Sequence, residues 1–442
     1  MKIGMIAMSG IRCCDERLVR KGLTLPGFVE RSKTISSLPS LGLLTLAGMT
    51  PNQHEITYLE MQDLQQLNEL PSDFDLVAIS SFSAQIFEAY GVADRFRQLN
   101  VPVVLGGLHV TSLPDEALEH GDAVVVGEGE TVWLDVLTDV EAGKLKRRYR
   151  SFDGPELEMV DAPMPAFELL DISKYNRLTV QTSRGCPLRC EFCASSILLT
   201  RRYKQKPIAR VLAEIDRICE IWSRPFIEFA DDNAFVNRRY WKELLPQLKQ
   251  RRVKWFAETD LSVHEDEELL RVMRDSGCAE VLIGFESPTL SGLDGLEMKN
   301  NWKRKHWSRY IEVVQRIQGN GIRVNGCFIL GLDGHGPDIF DAVYDFAEQA
   351  ELYDVQITYQ TPFPGTPLYE RLLRDGRMLY PGAWERCTLF DLNYQPTPMS
   401  VSELEQGFHA LADRLYSDEF TSWRRERFAQ KYKYSRKHKL SN

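Results

Sequence analysis

The chain has 442 residues, of which 43% are hydrophobic and 26% charged, a composition typical of a globular protein with two or three domains. No apolar run is long enough to span a bilayer, and the first residues lack the pattern of a secretory signal. We therefore expect a cytoplasmic protein without a membrane span. The net charge of −9 does not favour nucleic acid as a partner.

The first 150 residues alternate short β-type runs with amphipathic stretches, which predicts a doubly wound parallel α/β sheet as the first domain, 1–150. The predicted strands are "KIGMIAMS", "EITYLEM", "LVAISSFS", "VPVVLGG" and "AVVVGEGE". Ligands of such sheets bind beyond the carboxyl ends of the strands. Small residues at those ends, Gly106 and Gly107 among them, allow a ligand to approach the backbone and predict a cofactor-sized crevice.

A proline-rich linker, 151–174, precedes a second strand–helix alternation. Strands are predicted at 177–184, 225–231, 254–261, 279–286, 323–331 and 354–361. Six strand–helix units predict an open, partial (β/α)6 barrel over 175–376, with its chemistry at the carboxyl ends of the strands. Residues 377–442 are predicted to be a helical C-terminal region, whose basic end "RRERFAQKYKYSRKHK" we interpret as a solvated helix end, with a nucleic-acid contact as the minor alternative.

Three of the nine cysteines lie in "TSRGCPLRCEFCASS", directly after the first barrel strand. In a reducing compartment, cysteines at short spacing more often bind metal than form disulfides. Structural zinc needs four ligands, and this loop offers three without a nearby histidine or fourth cysteine. Three thiolates on a four-iron, four-sulfur cluster would leave one iron open to another ligand, whereas electron-transfer ferredoxins fill that position with cysteine.

"CPLRCEFC", with an aromatic residue before its last cysteine, resembles the signature of the radical S-adenosylmethionine (SAM) superfamily. The resemblance implies that Cys186, Cys190 and Cys193 hold a 4Fe-4S cluster, that SAM binds its open iron, and that an electron donor such as flavodoxin or ferredoxin reduces it. It also implies SAM contacts at the ends of the other barrel strands. The residues at these positions are Asp231 and Asp232, Glu286, Gly331 and Gln360.

Two further carboxylates lie in "WFAETD" on the third barrel strand. Strand alternation places Glu258 and Asp260 on the same face, where they could contact SAM or substrate, or form a buried structural pair. We treat Glu258 as a candidate catalytic residue.

The first domain, followed by such a barrel, resembles the cobalamin-binding subgroup of the superfamily, in which many members methylate unactivated carbons. The stretches "PSLGLLTLAGM", "VVLGGLHVTSLPDEALEHGDAVVVGEGE" and "PMSVSELEQGF" carry this resemblance over nearly the whole chain. The D-x-H-x-x-G motif that supplies an axial histidine to cobalamin is absent, because no histidine precedes His54. Some members without the motif still bind cobalamin, so the sequence leaves this cofactor open.

The loop after the first strand instead contains two adjacent cysteines, Cys13 and Cys14. Neighbouring thiols are soft ligands that could hold a thiophilic acceptor such as trivalent arsenic, or they could simply pack in the core. The first reading resembles, in outline, the radical SAM enzyme of arsinothricin biosynthesis, which transfers the 3-amino-3-carboxypropyl group of SAM.

The sequence therefore predicts a radical SAM transferase that moves a SAM-derived group onto a small molecule, in natural-product biosynthesis or related metabolism. Cobalamin-assisted methyl transfer to carbon is the leading hypothesis, and cobalamin-independent 3-amino-3-carboxypropyl transfer to an acceptor on Cys13 and Cys14 is the alternative. A non-catalytic iron–sulfur sensor or electron carrier is the hypothesis from another class. The open ligand position and the SAM-contact candidates count against it.

Overall fold

A computed structural model describes residues 1–10, 13–21, 38–62, 64–65, 70–198 and 202–439. Within these ranges the chain forms two six-stranded parallel sheets with helices between the strands, followed by a helical C-terminal region. The predicted α/β fold class, a doubly wound sheet followed by a partial barrel, is confirmed.

The first sheet has the strand order β2-β1-β3-β4-β5-β6, and every pairing in it is parallel. Its strands are β1 (Lys2–Met8), β2 (Glu55–Met61), β3 (Leu76–Ser80), β4 (Val103–Gly106), β5 (Ala123–Val126) and β6 (Arg148–Arg150). The strand order reverses between β1 and β3, which is where sheets of this kind open a ligand crevice. The five predicted strands are present, and β6, a three-residue edge strand with two exposed arginines, was not predicted.

Helices cover both faces of the first sheet, which explains why its strands are almost continuously apolar. The helices are α1 (Glu16–Lys21), α2 (Leu41–Met49), α3 (Ile86–Gln98), α4 (Leu108–Ser112), α5 (Pro114–His120) and α6 (Trp133–Glu141). Val92 and Phe96 of α3 pack on one face, and Ala47 of α2 and Val136 of α6 pack on the other.

The proline-rich segment after β6 lies against the first sheet's helices in a series of short turns. Ala166 donates its backbone N–H to the carbonyl of Leu44 at 2.9 Å. A Cβ on Gly48 would lie 1.8 Å from the carbonyl oxygen of Met164, so only glycine allows the segment to pass this close to α2.

The second sheet has the order β14-β13-β12-β11-β10-β7, again with parallel pairings throughout. Its strands are β7 (Leu178–Val180), β10 (Phe226–Ala234), β11 (Lys254–Thr259), β12 (Cys278–Glu286), β13 (Arg323–Leu330) and β14 (Asp354–Tyr359). All six predicted barrel strands are present. A short antiparallel ladder of β8 (Ser183–Arg184) with β9 (Lys204–Gln205) follows β7 and was not predicted.

Side chains alternate along the barrel strands between an apolar outer face and a polar inner face. Ile227 and Phe229 of β10 point outward with Trp255 and Ala257 of β11 into one apolar core. The helices around the barrel are α7 (Ala194–Leu198), α8 (Ile208–Ile221), α9 (Arg238–Arg251), α10 (Glu267–Asp275), α11 (Trp302–His306), α12 (Tyr310–Gly319), α13 (Ile339–Gln349) and α14 (Pro367–Arg374).

The C-terminal region ends in α15 (Val401–Leu415) and α16 (Asp418–Lys439). Ser400 and Glu403 form a reciprocal capping box at the start of α15. Part of the basic C-terminal stretch belongs to the fold, because Arg424 is fully buried and donates to the carbonyls of Tyr353 and Leu415. Among the described residues, no helix is both long and apolar enough to cross a membrane.

Candidate active site

The carboxyl ends of the two sheets meet at one cleft with a volume of about 340 Å³, which we call the central cleft. From the first sheet it is lined by Ser80, Gly106, Gly107, Gly127 and Glu128, and from the barrel by Gln181, Arg184, Ala230 and Asp232. Both sheets place their carboxyl ends where ligands bind in such folds. The cleft can therefore hold groups bound to either sheet next to each other.

The three clustered cysteines lie in the loop after β8, at the barrel end of this cleft. Cys190 is buried, while Cys186 and Cys193 are half-buried. Burial raises the pKa of Cys186 to about 11 and that of Cys190 to about 12, and the charge of Cys193 contributes to both. Cys193 therefore lies within electrostatic range of the other two thiols. Asn233 Nδ2 donates to the sulfur of Cys186 at 3.7 Å, which is compatible with a thiolate there.

Asp231 anchors the start of the cysteine loop. Its Oδ1 accepts the backbone N–H groups of Thr182 (2.7 Å) and Ser183 (2.8 Å), and its Oδ2 accepts the hydroxyl of Thr182. Asp231 is buried and, unlike Asp232, is not among the residues that line the central cleft. Both of its carboxylate oxygens are engaged by the protein, and a contact of Asp231 with SAM stays a prediction.

Asp232, by contrast, lines the central cleft. Its Oδ2 accepts the backbone N–H of Gly185 at 2.7 Å, immediately before Cys186. Gly185 has a φ of 85°, a left-handed conformation that favours glycine. Asp232 thus both orients the cysteine loop and offers its second oxygen to the cleft.

The opposite side of the cysteine loop is held by two other parts of the barrel. Glu191 receives a fork of hydrogen bonds from Arg371 of α14, with Nη2–Oε1 at 2.7 Å and Nε–Oε2 at 3.1 Å. The backbone of residues 296–298 pairs with the loop, since Met298 donates to the Arg189 carbonyl and Glu191 donates to that of Leu296.

Glu286 ends β12 next to the cysteines and forms a buried ion pair with Lys303. The charges of Glu286 and Cys190 raise the pKa of Lys303 above its ordinary value despite burial. Lys303 is therefore a cation beside the cysteine loop. Lys303 could not be predicted as a site residue, because its partner lies 17 residues away across a long loop.

The two predicted SAM contacts at the ends of β13 and β14 have different surroundings. A Cβ on Gly331 would lie 2.2 Å from the hydroxyl oxygen of Tyr394, so its missing side chain makes room for Tyr394, and its contact with SAM stays a prediction. Gln360 is 2% exposed, and its Oε1 has no hydrogen-bond partner among the described residues. An acceptor left buried in this way fits a missing ligand donor.

Glu258 points into the barrel interior, as the alternation predicts. Glu228 and Phe256 are register partners, so Glu228, Ala230, Glu258 and Asp260 share the inner face. Glu258 and Ala230 are accessible although β10 and β11 are interior strands, which shows a cavity inside the barrel. Desolvation first, and then the charges of Glu228, Asp232 and Glu286, raise the pKa of Glu258 to about 7.

An ion-pair network joins the two sheets at the rim of the central cleft. Arg184 donates to Glu128 at 3.0 Å and to Glu130 from its other nitrogen, while Lys204 donates to the second oxygen of Glu128 at 2.9 Å. All four side chains are less than one-fifth exposed. Sequence reasoning missed this network because its partners are at least 54 residues apart.

Comparison with known proteins shows which families this chain resembles. Residues 180–347 match the Radical SAM superfamily, residues 32–137 match the B12 binding domain, and residues 366–442 match a domain of unknown function. The bacteriochlorophyllide d C-12(1)-methyltransferase of Chlorobaculum tepidum is 28% identical over 385 residues, 86% of this chain and 83% of that protein.

The hopanoid C-2 methylase of Rhodopseudomonas palustris is 30% identical over 413 residues, 86% of this chain and 75% of that protein. The chain belongs to the cobalamin-binding radical SAM methyltransferase family. The structure of the radical SAM methyltransferase TsrM from Kitasatospora setae, with cobalamin and a [4Fe-4S] cluster bound, has a TM-score of 0.67. It is 15% identical and covers 94% of this chain and 88% of TsrM, so this likeness concerns the fold alone.

Membership of this family confirms the prediction of a radical SAM transferase of the cobalamin-binding subgroup, with a 4Fe-4S cluster and SAM as cofactors. The match of the first domain to the B12 binding domain supports cobalamin, which the sequence had left open. The resemblance to the arsinothricin enzyme is not shown, and the aminocarboxypropyl alternative is not favoured.

Cys13 and Cys14, on which that alternative depended, lie outside the central cleft. Cys13 packs with Leu18 and Leu44 in the core, and its thiol is directed at the carbonyl of Asp15. Burial and the nearby Asp391 raise the pKa of Cys13 to about 12 and that of Cys14 to about 11. These surroundings disfavour thiolates and support the packing interpretation for Cys13, whereas Cys14 is exposed and its role stays a prediction.

The residues present fit the cofactors of the family. Among the described residues, no three potential ligands gather closely enough to hold a single metal ion, whereas a four-iron cluster takes each thiolate on a separate iron. The unpartnered oxygen of Gln360 and the open side of Asp232 fit the amino group of SAM. The glycines and apolar side chains at the first sheet's edge fit a large, close-lying cofactor such as cobalamin.

Proposed function

We propose that this chain transfers the methyl group of SAM to a carbon atom of a small organic molecule, using both sheets at once. The observation that carries the proposal is the central cleft, in which Gly106 and Gly107 of the first sheet and Asp232 of the barrel line one space. A methyl donor on the first sheet and a radical source on the barrel can then act on the same substrate carbon.

In this proposal Cys186, Cys190 and Cys193 hold the 4Fe-4S cluster, and Asp232 and Gln360 accept hydrogen bonds from SAM. Glu286 is already paired with Lys303, so SAM would meet a neutral ion pair at this position rather than a free carboxylate. When bound, the cluster and SAM supply a carbon-centred radical and cobalamin carries the methyl group. The fixed hydrogen bonds of the cysteine loop keep these groups in position before reaction.

Glu258 faces the substrate in this proposal. Its carboxyl group lies inside the barrel cavity without a hydrogen-bond partner among the described residues. A carboxyl group titrating near neutrality can accept or donate a hydrogen bond to a polar group of the substrate and so orient the carbon to be methylated.

The reaction also requires electrons from outside the chain, so an electron donor such as flavodoxin or ferredoxin is part of the proposal. We also propose a reducing cytoplasm as the location of this protein, since all nine cysteines are free.

The experiment that tests the shared cleft is Gly106→Leu, with Gly106→Ala as its matched control. A Cβ at Gly106 meets only Val125, at 3.8 Å, so the backbone accepts a side chain and leucine extends into the cleft. We expect Gly106→Leu to lose bound cobalamin by absorbance while keeping its iron and its reductive cleavage of SAM, and Gly106→Ala to keep all three. Full cobalamin binding by Gly106→Leu would contradict this placement.

A further inference from the structure

The surface directly outside the cysteine loop is formed by residues 287–309. This segment is hydrogen-bonded to the loop on both sides of Cys190, because Met298 donates to the Arg189 carbonyl at 2.8 Å and Glu191 donates to the Leu296 carbonyl at 3.2 Å. A group bound on this surface would be separated from Cys190, a proposed cluster ligand, only by this hydrogen-bonded segment.

Large apolar side chains are exposed on this segment. Leu290 is 41% exposed, Met298 51% and Trp307 36%. The segment is a built surface rather than a loose loop, since the Trp307 indole donates to the Pro288 carbonyl and so joins its two ends. Exposed apolar groups clustered on one ordered segment are typical of interaction sites.

Basic side chains are exposed on the same segment and on the cysteine loop paired with it. Arg189, Lys299 and Lys305 are exposed and form no ion pair among the described residues, whereas the chain as a whole has a net charge of −9. Of the acidic residues on this segment, Asp294 is exposed and pairs with Arg304, and Glu297 is buried. The surface therefore presents both positive charge and apolar groups.

We propose that this surface, the donor face, docks the acidic one-electron donor protein that reduces the cluster. It is formed by Arg189, Leu290, Met298, Lys299, Lys305 and Trp307. The inference rests on the proposed function, since only a resident cluster requires the electron. The donor is oxidised by one electron and the cluster is reduced by one, with no atom transferred. Charge complementarity steers the acidic partner, and the apolar side chains supply contact area.

The test is the double charge reversal Lys299→Glu with Lys305→Glu in the full-length protein with its cluster. Lys144→Glu is the control, because Lys144 is also exposed but lies in the loop between α6 and β6, at the opposite edge of the first sheet. Flavodoxin is the probe: its affinity is measured by titration at low ionic strength, and the cluster's reduction by flavodoxin hydroquinone is followed by absorbance.

We expect the double variant to bind flavodoxin about tenfold more weakly or worse and to be reduced correspondingly more slowly, with a smaller dependence on salt. Reduction by dithionite should match that of the unmodified protein, and Lys144→Glu should behave normally with both reductants. Wild-type binding and reduction by flavodoxin in the double variant would overturn the donor face, as would an equal slowing with dithionite. Failure of the dithionite-reduced wild-type protein to cleave SAM would instead overturn the proposed function.

Discussion

Glu258 shows how one residue can be enclosed by protein and still reached by solvent. It lies on an interior barrel strand, yet its side chain is accessible, because the cavity around it is open. Enclosure by protein raises its pKa to about 7, and water in the cavity reduces the energetic cost of its charge. A substrate that hydrogen-bonds to it would replace that water.

This enclosure predicts a pH-dependent gain in stability for Glu258→Gln in protein without SAM or substrate. The folded pKa of about 7 lies above the ordinary value of 4.5, so the folded state loses stability as the pH rises between these values. The variant should have a higher Tm than the unmodified protein at pH 8 and an equal Tm at pH 5. Glu348→Gln, on the exposed surface of α13, should show no such pH dependence; an equal difference at both pH values would exclude Glu258 as the cause.

A second prediction at this scale concerns the cysteines. Cys186→Ala should lose bound iron, the absorbance of the cluster and all cleavage of SAM, because a three-thiolate cluster has no spare ligand. Cys219→Ala, on the outer helix α8, should retain all three. Near-normal iron content in Cys186→Ala would refute the assignment.

Asp231 and Asp232 show what sequence reasoning could and could not resolve about single residues. Both stood as SAM-contact candidates, but adjacent residues of a strand face opposite ways. Of the two, only Asp232 lines the central cleft, and a difference between neighbouring strand residues can be predicted from alternation. The close approach of Tyr394 to Gly331 could not be predicted from the sequence, because the two residues are 63 positions apart.

At the scale of elements, the strands of the first sheet were predictable because they are almost continuously apolar. The barrel strands were predictable because apolar and polar residues alternate along them. The predicted ends were less accurate: β10 continues to Ala234, and its pairing with β11 shifts register after Phe229. The short strands β6, β8 and β9 contain two or three mostly polar residues and carry no such signal.

The ion-pair network between the loop after β5 and the ladder of β8 with β9 gives a prediction at this scale. Glu128→Gln leaves Arg184 and Lys204, both largely buried, with one carboxylate fewer. We expect it to destabilise the protein by about 3 kcal/mol, as when one partner of a buried ion pair is removed. Thermal unfolding measures this, and Glu158→Gln, which removes an exposed pair with Arg202, should change Tm little. Equal effects of the two variants would show that the network is not a buried unit.

The same variant should also uncouple the reaction if the network aligns the two halves of the cleft. SAM cleavage would continue at the barrel, while the methyl donor on the first sheet would be misplaced relative to the substrate. We expect more 5′-deoxyadenosine per S-adenosylhomocysteine formed than in the unmodified protein, measured by mass spectrometry. An unchanged ratio would limit the network to stability.

At the scale of the whole molecule, the order of the two sheets and the family were predictable from motifs in each half. The resemblance of the N-terminal half pointed to cobalamin even though the axial-histidine motif is missing, and the match to the B12 binding domain agrees with it. How the two sheets share one cleft was not predictable, because it depends on side chains far apart in sequence. The domain limits 1–150, 151–174, 175–376 and 377–442 stay a prediction.

The central claim is methyl transfer that depends on cobalamin, and the fragments of SAM test it most directly. The reconstituted protein is reduced anaerobically with SAM, with and without cobalamin, and the fragments are identified by mass spectrometry. We expect 5′-deoxyadenosine in both cases and S-adenosylhomocysteine only with cobalamin. Methylthioadenosine as the main fragment would mean that the other carbon–sulfur bond breaks, and it would contradict methyl transfer.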